Sequence, residues 1–181
     1  MLVAMHGYSG SGKTWMSSQL MSLLPAIRVR SDIERKRFVD PDEAAGSDLK
    51  PGEGMYSDRA RAGVYENLIE TAGCLLDAGF NVIVDASFLR LRDRELVFDA
   101  ADRRNVSFAF VDTHADNAEL ERRLKKRATA GKNVSDANIE VLQHQYDHSD
   151  PMTAAEREKS VVVETDTDVD AGHILKALKR T

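Results

Sequence analysis

Eight consecutive residues, Gly7-Tyr8-Ser9-Gly10-Ser11-Gly12-Lys13-Thr14, satisfy G-x-x-x-x-G-K-[ST] at every fixed position. Glycines at 7, 10 and 12 carry no Cβ, so the backbone can bend until successive N–H groups point at one anion. The loop formed by Gly7, Ser9, Gly10, Ser11 and Gly12 is therefore expected to cradle a polyphosphate. Lys13 is placed to reach the β and γ phosphates, and the Thr14 hydroxyl to ligate Mg²⁺. An ordinary glycine-rich turn would need neither the Lys-Thr pair nor glycines at these offsets.

Three further sets of residues offer what such a loop would use. Asp32 follows a predicted strand, Ala26-Ile27-Arg28-Val29-Arg30, at the end of the sheet where ligands bind, and its carboxylate could take a proton from a hydroxyl acceptor. Arg35, three residues on, shares a helix face with it and could orient that acceptor or a phosphate. Ser31 and Glu34 also fit an S-x-x-E capping box, which would start a helix without any chemistry. Asp85 ends an apolar run as a Walker B acid would, poised to hold Mg²⁺ directly or through water; a helix cap or turn acid is the alternative. Arg123 and Arg127 stand at i and i+4, on one face of a predicted helix followed by Thr129-Ala130-Gly131-Lys132-Asn133. A solvated basic face is the bland reading of that pair. Beside a phosphate loop, a mobile arginine-bearing lid fits better, because phosphoryl transfer needs cations on the moving group.

The elements that must position these residues follow from periodicity. Leu2-Val3-Ala4-Met5, 26–30, 80–85, 107–111 and 160–163 read as strands, and the nearly unbroken apolar run at 80–85 suits a central parallel strand. Helices are predicted over 15–24, from Ser31, over 57–78, 117–128 and 168–179, with another capped by Ser135-Asp136. Leu68, Ala72, Leu75 and Leu76 form the buried stripe of the third, which Gly79 ends. Segment 40–58 holds six acidic residues against one lysine and many turn formers, fitting a substrate-covering loop or a mobile linker. Arg90, Arg92 and Arg94 fan around a helix axis, so one at most meets a substrate and the others are solvated. His144 and His148 stand at i and i+4, but with no third ligand in a strongly polar segment they read as a wet helix face.

With 181 residues, 42% apolar, 30% charged and a formal charge of -5, the chain suits one globular domain rather than a disordered segment or a broad nucleic-acid-binding surface. No apolar run approaches a membrane span and no secretory leader is evident, so a cytoplasmic protein is expected. Cys74 is the only cysteine, which excludes an intrachain disulfide and reads as core filler.

Taken together, HGYSGSGKT at 6–14, RSDIERKR at 30–37, VIVDASFL at 82–89, and RRLKKR with VSDA within 122–137 resemble the P-loop small-molecule kinases. That group includes polynucleotide 5′-hydroxyl kinase, zeta toxins, gluconate kinase and chloramphenicol phosphotransferase. Within it, the chain most resembles a predicted ATP-dependent kinase family also found fused behind aminoglycoside-phosphotransferase-like domains. The likeness runs nearly end to end. It implies a three-layer α/β/α P-loop NTPase fold, a five-stranded parallel sheet in order 2-3-1-4-5 and a small helical lid near 123–136. It also implies ATP and Mg²⁺ as cofactors, Asp32 as general base, Arg35 as a substrate or phosphate contact, and Arg123 and Arg127 as lid arginines. Segment 40–58 matches no family motif, so the acceptor is not named.

The leading expectation is transfer of the γ-phosphoryl group of ATP to a hydroxyl of a small molecule. A nucleotide-dependent switch without an acceptor is the competing class, and it would have no use for a base at position 32. Polynucleotide 5′-end phosphorylation would need a basic groove, which the acidic 40–58 segment disfavours; zeta-toxin-like phosphorylation of a nucleotide sugar stays open.

Overall fold

The strand-forming runs at 2–5, 81–85 and 108–111 are too apolar to face water on either side, and parallel pairing with helices on both faces is the arrangement that covers them. The computed structural model describes residues 1–37, 58–129 and 138–181. Strands β1 (Leu2–His6), β2 (Ala26–Arg30), β3 (Asn81–Asp85), β4 (Phe108–His114) and β5 (Ser160–Glu164) form one parallel sheet in the order β2-β3-β1-β4-β5. This is the order expected from the resemblance. Ala4 is in register with Val84 on one side and Phe110 on the other, so β1 lies at the centre.

The described helices are α1 (Lys13–Met21), α2 (Ser31–Arg37), α3 (Asp58–Asp77), α4 (Leu91–Asp102), α5 (Asn117–Thr129), α6 (Ile139–Asp147), α7 (Ala154–Glu158) and α8 (Ala171–Leu178). Side chains alternate across a strand, and β1 divides accordingly. Val3 and Met5 pack with Met16 and Leu20 of α1 and Leu175 and Leu178 of α8. Leu2 and Ala4 pack with Leu68 and Ala72 of α3 and Val97 and Ala101 of α4. Leu76 joins that core as predicted, with Leu75 partly buried against it. Gly79, in the left-handed region at φ 87°, turns the chain out of α3. Among the described residues, no helix is long and apolar enough to cross a membrane.

Several boundaries differ from expectation, each for a local reason. β4 runs to His114 rather than ending at 111, because its pairing with β5 continues through His114–Glu164. Asn138 caps α6, its side chain accepting the Val141 N–H; the expected cap residues Ser135-Asp136 lie outside the described residues. A short helix that the pattern analysis passed over, α7, starts with a true capping box between Thr153 and Glu156. The expected box at Ser31–Glu34 does not form. Ser31 donates instead to the Asp85 carbonyl at 3.4 Å, and the buried Glu34 carboxylate accepts from Arg37 at 2.7 Å and Asn67 at 3.1 Å. Cys74 is exposed rather than core filler, since it falls off the stripe through Ala72 and Leu76. The proposed covering loop and most of the lid loop lie outside the described residues.

Candidate functional site

In open α/β sheets a ligand crevice forms beyond the carboxyl ends of the strands, where the strand order reverses. Here that point lies at the end of β1, and the glycine-rich loop occupies it. Gly7 has φ 133°, and a Cβ built there would fall 2.4 Å from the Thr113 carbonyl oxygen. Gly12, at φ 94°, occupies the N-cap of α1 in the left-handed region. The loop is tied to its neighbours on both sides. The Ser11 and Thr113 hydroxyls lie 2.7 Å apart, and the Gly7 N–H donates to the Ser87 carbonyl at 3.2 Å.

Lys13 begins α1, and its ammonium folds over the loop, donating to the carbonyls of Gly7 at 2.8 Å and Tyr8 at 2.7 Å. Burial pushes its pKa down from 10.5 to about 8, opposed by the nearby Asp85 carboxylate and reinforced by the Arg127 guanidinium. Both groups therefore act on the Lys13 charge. Thr14 is exposed at the start of the helix. Its carbonyl accepts from Ser17 at 3.0 Å and Ser18 at 2.8 Å, and the Arg28 guanidinium bonds both of those hydroxyls.

Asp85 ends β3 beneath the loop, 5% exposed, and accepts from the Ser17 hydroxyl at 3.2 Å. Asp32 lies in the first turn of α2. Between the two carboxylates stands Arg30, which sequence analysis did not single out. Its Nη2 donates to Asp32 Oδ2 at 2.7 Å, and its Nε lies 3.9 Å from Asp85 Oδ2. That buried Nε has no hydrogen-bond partner. The register supplied a signal in retrospect, because Arg30 ends β2 directly opposite Asp85. Asp32, Asp85 and Lys13 are thus brought to one end of the sheet. Arg35 lies near enough to Tyr65 of α3 to act on its hydroxyl electrostatically.

The two arginines expected in a lid do different things. Arg123 is a strut: Nε donates to Glu119 at 2.7 Å, Nη1 to the Gly10 carbonyl at 3.1 Å and the Thr165 hydroxyl at 2.8 Å, and Nη2 to the Thr165 carbonyl at 2.8 Å. It fastens the phosphate loop to the turn after β5. Arg127, one turn on, is the one whose charge reaches Lys13.

Helix α6 adds a second fastening that the sequence did not reveal. Gln145 accepts the Ser9 N–H at 2.8 Å, and the Tyr8 hydroxyl lies 2.9 Å from that of Ser149. Tyr8 and Tyr146 meet edge to face with centroids 4.8 Å apart. His144 and His148 stack on one another, and the His148 ring bonds the His144 carbonyl. Among the described residues no group of three or more His, Cys, Asp or Glu side chains could hold a metal ion.

One correction concerns a charged side chain. Arg94, expected to be solvated unless it met a substrate, is fully buried. It pairs with Glu156 at 2.7 Å and donates to the carbonyls of Phe88, Leu89, Asp150 and Pro151. Arg94 thereby fixes the β3–α4 loop beside the site. The extended β4 also carries Asp112, which bonds His6 at 2.6 Å and His114 at 2.9 Å. Burial works to raise that carboxyl, but the two imidazoles hold it well below the usual carboxylate range, and Asp112 in turn raises His114.

A family model described as an AAA domain matches residues 2–152. No curated protein matches the chain significantly. Among solved structures, a protein of Chloroflexus aurantiacus proposed to be a kinase superposes with a TM-score of 0.73 at 20% identity, covering 99% of this chain and 93% of that one. The Mycobacterium tuberculosis APS kinase CysC, in complex with AMPPNP and APS, gives 0.64 at 19% identity over 98% and 96%. Kti12 of Chaetomium thermophilum, in complex with ADP-AlF3, gives 0.72 at 13% identity over 98% and 99%. These likenesses establish a shared fold.

Proposed function

The chain belongs to the AAA-domain family, and from that premise we propose that it is an ATP-dependent phosphotransferase acting on a hydroxyl of a small molecule as one P-loop kinase domain. One observation carries the reading: a carboxylate, Asp32, is held by Arg30, whose Nε lies 3.9 Å from the acid of β3, and that acid in turn acts on the lysine of the phosphate loop. A nucleotide switch has no use for a positioned base there, although the fold shared with Kti12 keeps that reading as the alternative.

In this reading the loop N–H groups and the N-terminus of α1 bind the β and γ phosphates, with Lys13 leaving its loop carbonyls for phosphate oxygens. The Thr14 hydroxyl and Asp85 carboxylate are hard oxygen donors. They suit Mg²⁺, which takes few protein ligands and keeps its waters. Such an ion would neutralise charge on the β and γ oxygens. Asp32 orients the acceptor hydroxyl and takes its proton, Arg35 contacts the acceptor or the phosphate, and Arg127 adds positive charge near the transferred group. Arg123 serves by holding the loop in place.

Asp32→Asn tests this, because the amide keeps an acceptor for Arg30 and removes the basic carboxylate. Affinity for ATP and the thermal midpoint should stay near wild type while acceptor phosphorylation falls about 10²- to 10⁴-fold. A loose transition state asks little of a base, so the lower end is expected. Equal phosphorylation rates would return the switch reading to first place.

A further inference from the structure

One peptide of the phosphate loop is held from both ends. The Tyr8 carbonyl accepts from the Lys13 ammonium at 2.7 Å and from the Ser11 N–H at 3.1 Å. The second of these bonds closes a turn over Ser9 and Gly10, whose φ of 87° is open to glycine. At the other end of the peptide the Ser9 N–H donates to Gln145 Oε1 of α6 at 2.8 Å. This peptide is trans, so its carbonyl and its N–H point in opposite directions. Gln145 therefore pulls on the side of the loop turned away from the ammonium, and its bond is compatible with a phosphate on Lys13. Ser9 is 8% exposed, so its N–H needs a protein partner, and Gln145 supplies one.

Gln145 reaches the loop because α5 and α6 are docked on it. Tyr8 packs against the cluster of Leu120, Leu124 and Leu142, and its hydroxyl lies 2.9 Å from that of Ser149, just after α6. Tyr146 of α6 donates to Asn117 at the start of α5 at 3.0 Å, and Arg123 of α5 donates to the Gly10 carbonyl. The consecutive loop residues Ser9 and Gly10 are thus bonded to different helices of the pair, α6 and α5. Among the described residues, the buried apolar core that joins the two helices is Leu120, Leu124 and Leu142, far smaller than either core covering the sheet. A unit with few buried apolar contacts opens more easily than its surroundings, so this pair can leave the loop while the sheet stays folded.

Resting on the reading above, we propose that Gln145 is a positioning residue for phosphoryl transfer: it holds the Ser9 N–H so that the Tyr8 carbonyl closes the loop's turn beside the Lys13 ammonium, and the loop takes its working shape only while α6 is seated. Hydrogen bonds at the two ends of one amide polarise it and strengthen one another. Without Gln145 the buried Ser9 N–H has to find another acceptor and the peptide turns to reach one. The Ser11 N–H and the Lys13 ammonium then lose the carbonyl they share. Lys13, the residue that reaches the β and γ phosphates, starts from this end of the loop, so this is the end that meets the moving group. In the transfer step the acceptor oxygen bonds the γ-phosphorus as the bond from that phosphorus to the bridging oxygen breaks. The hydroxyl proton passes to Asp32, and ADP leaves. A misshapen turn costs most in that step, because the charge to be neutralised is greatest in the transition state.

The test needs no acceptor. Planar aluminium fluoride added to ADP stands in for the phosphoryl group in flight, so its affinity relative to ADP alone reads how well the loop fits the transition state. Gln145→Met keeps the side chain's length and removes the acceptor oxygen; Gln145→Glu keeps an acceptor and adds a charge that acts on both ligands alike. In calorimetry with Mg²⁺ present, Gln145→Met should lower the affinity for ADP with aluminium fluoride about 10- to 30-fold while ADP alone stays within about threefold, the scale of a sub-ångström misplacement. Gln145→Glu should restore the ratio of the two affinities. Amide spectra of isotope-labelled protein supply a second readout: the Ser9 N–H should exchange slowly in wild type, with and without ADP, and about tenfold faster in Gln145→Met, while the β1 amides keep their protection. Ser149→Ala removes the partner of the Tyr8 hydroxyl and leaves the Ser9 bond, so it should change neither the ratio nor the exchange. A Gln145→Met protein with the wild-type ratio, or a Ser149→Ala protein with the same loss, would overturn the inference alone. Wild type that binds ADP with aluminium fluoride no better than ADP would overturn the phosphotransferase reading, and the role of Gln145 with it.

Discussion

Lys13 offers the most quantitative test of how the loop works. Its pKa falls from 10.5 to about 8 because the ammonium is buried before any phosphate is there to compensate. That gap corresponds to roughly 3 kcal/mol between its two protonation states. A bound polyphosphate replaces water with negative charge and restores the ammonium, so the pKa in the complex lies well above that of the free protein. The sign follows directly. Below about pH 8 both states hold the proton and affinity is level; above it, the free protein must take up one proton to bind. The dissociation constant for Mg·ATP should then rise toward tenfold per pH unit, about 1.4 kcal/mol each. Calorimetry at pH 7 to 10, in buffers of different ionisation enthalpy, would report both the affinity and the proton taken up. Lys13→Arg, whose guanidinium stays charged, should bind with a flat profile over the same range. Stability gives an independent check: the unfolded chain keeps this proton up to about 10.5 and the folded chain only to about 8, so wild type gains stability across that window. A variant with Lys13→Met should lack that gain. A flat wild-type binding profile, or parallel stability curves, would refute the account of a desolvated loop lysine.

The other predictions concern the groups that hold the site. Arg127→Ala should lower kcat about 10²-fold with little change in thermal midpoint, whereas Arg123→Ala should lower both the midpoint and ATP affinity, since it removes the strut to Gly10 and Thr165; equal behaviour of the two would show that the division of roles is wrong. Glu156→Gln leaves the Arg94 charge buried without its counter-ion and should cost about 3 to 5 kcal/mol in urea unfolding. The double change Arg94→Met with Glu156→Leu should recover much of that stability. It should still impair phosphorylation, because the Phe88–Leu89 carbonyls lose their anchor. Gly7→Ala places a methyl 2.4 Å from the Thr113 carbonyl at a positive φ and should abolish nucleotide binding in an equilibrium assay; near-normal affinity would show that the loop tolerates a shift there.

How much was legible before the fold was known depends on the range of the interaction. The phosphate loop, the five strands and the buried stripe of α3 were readable because each depends on neighbours a few residues away: glycine φ freedom, alternation with period two, recurrence at three and four. The sheet order came through the family resemblance and agrees with the structure, whereas the positions of Asp32 just after β2 and of Asp85 at the end of β3 were readable from the strand pattern itself.

What only the tertiary structure decided is where charge goes once distant segments meet. Arg94 and Arg92 differ by two positions in one helix, yet one is fully buried against Glu156, 62 residues away, and the other stands 54% exposed. Ser31 and Glu34 matched a capping pattern in sequence, but β3 and α3 offered them other partners, Asp85 and Asn67. Arg30 became a bridge between two acids because strand register set it opposite Asp85, and Arg123 a strut because Thr165 lies across the loop. A polar side chain has several partners available in principle, and local sequence names only the nearest. Which one it takes is fixed by desolvation on burial, and burial is a property of the folded sheet and its covering helices.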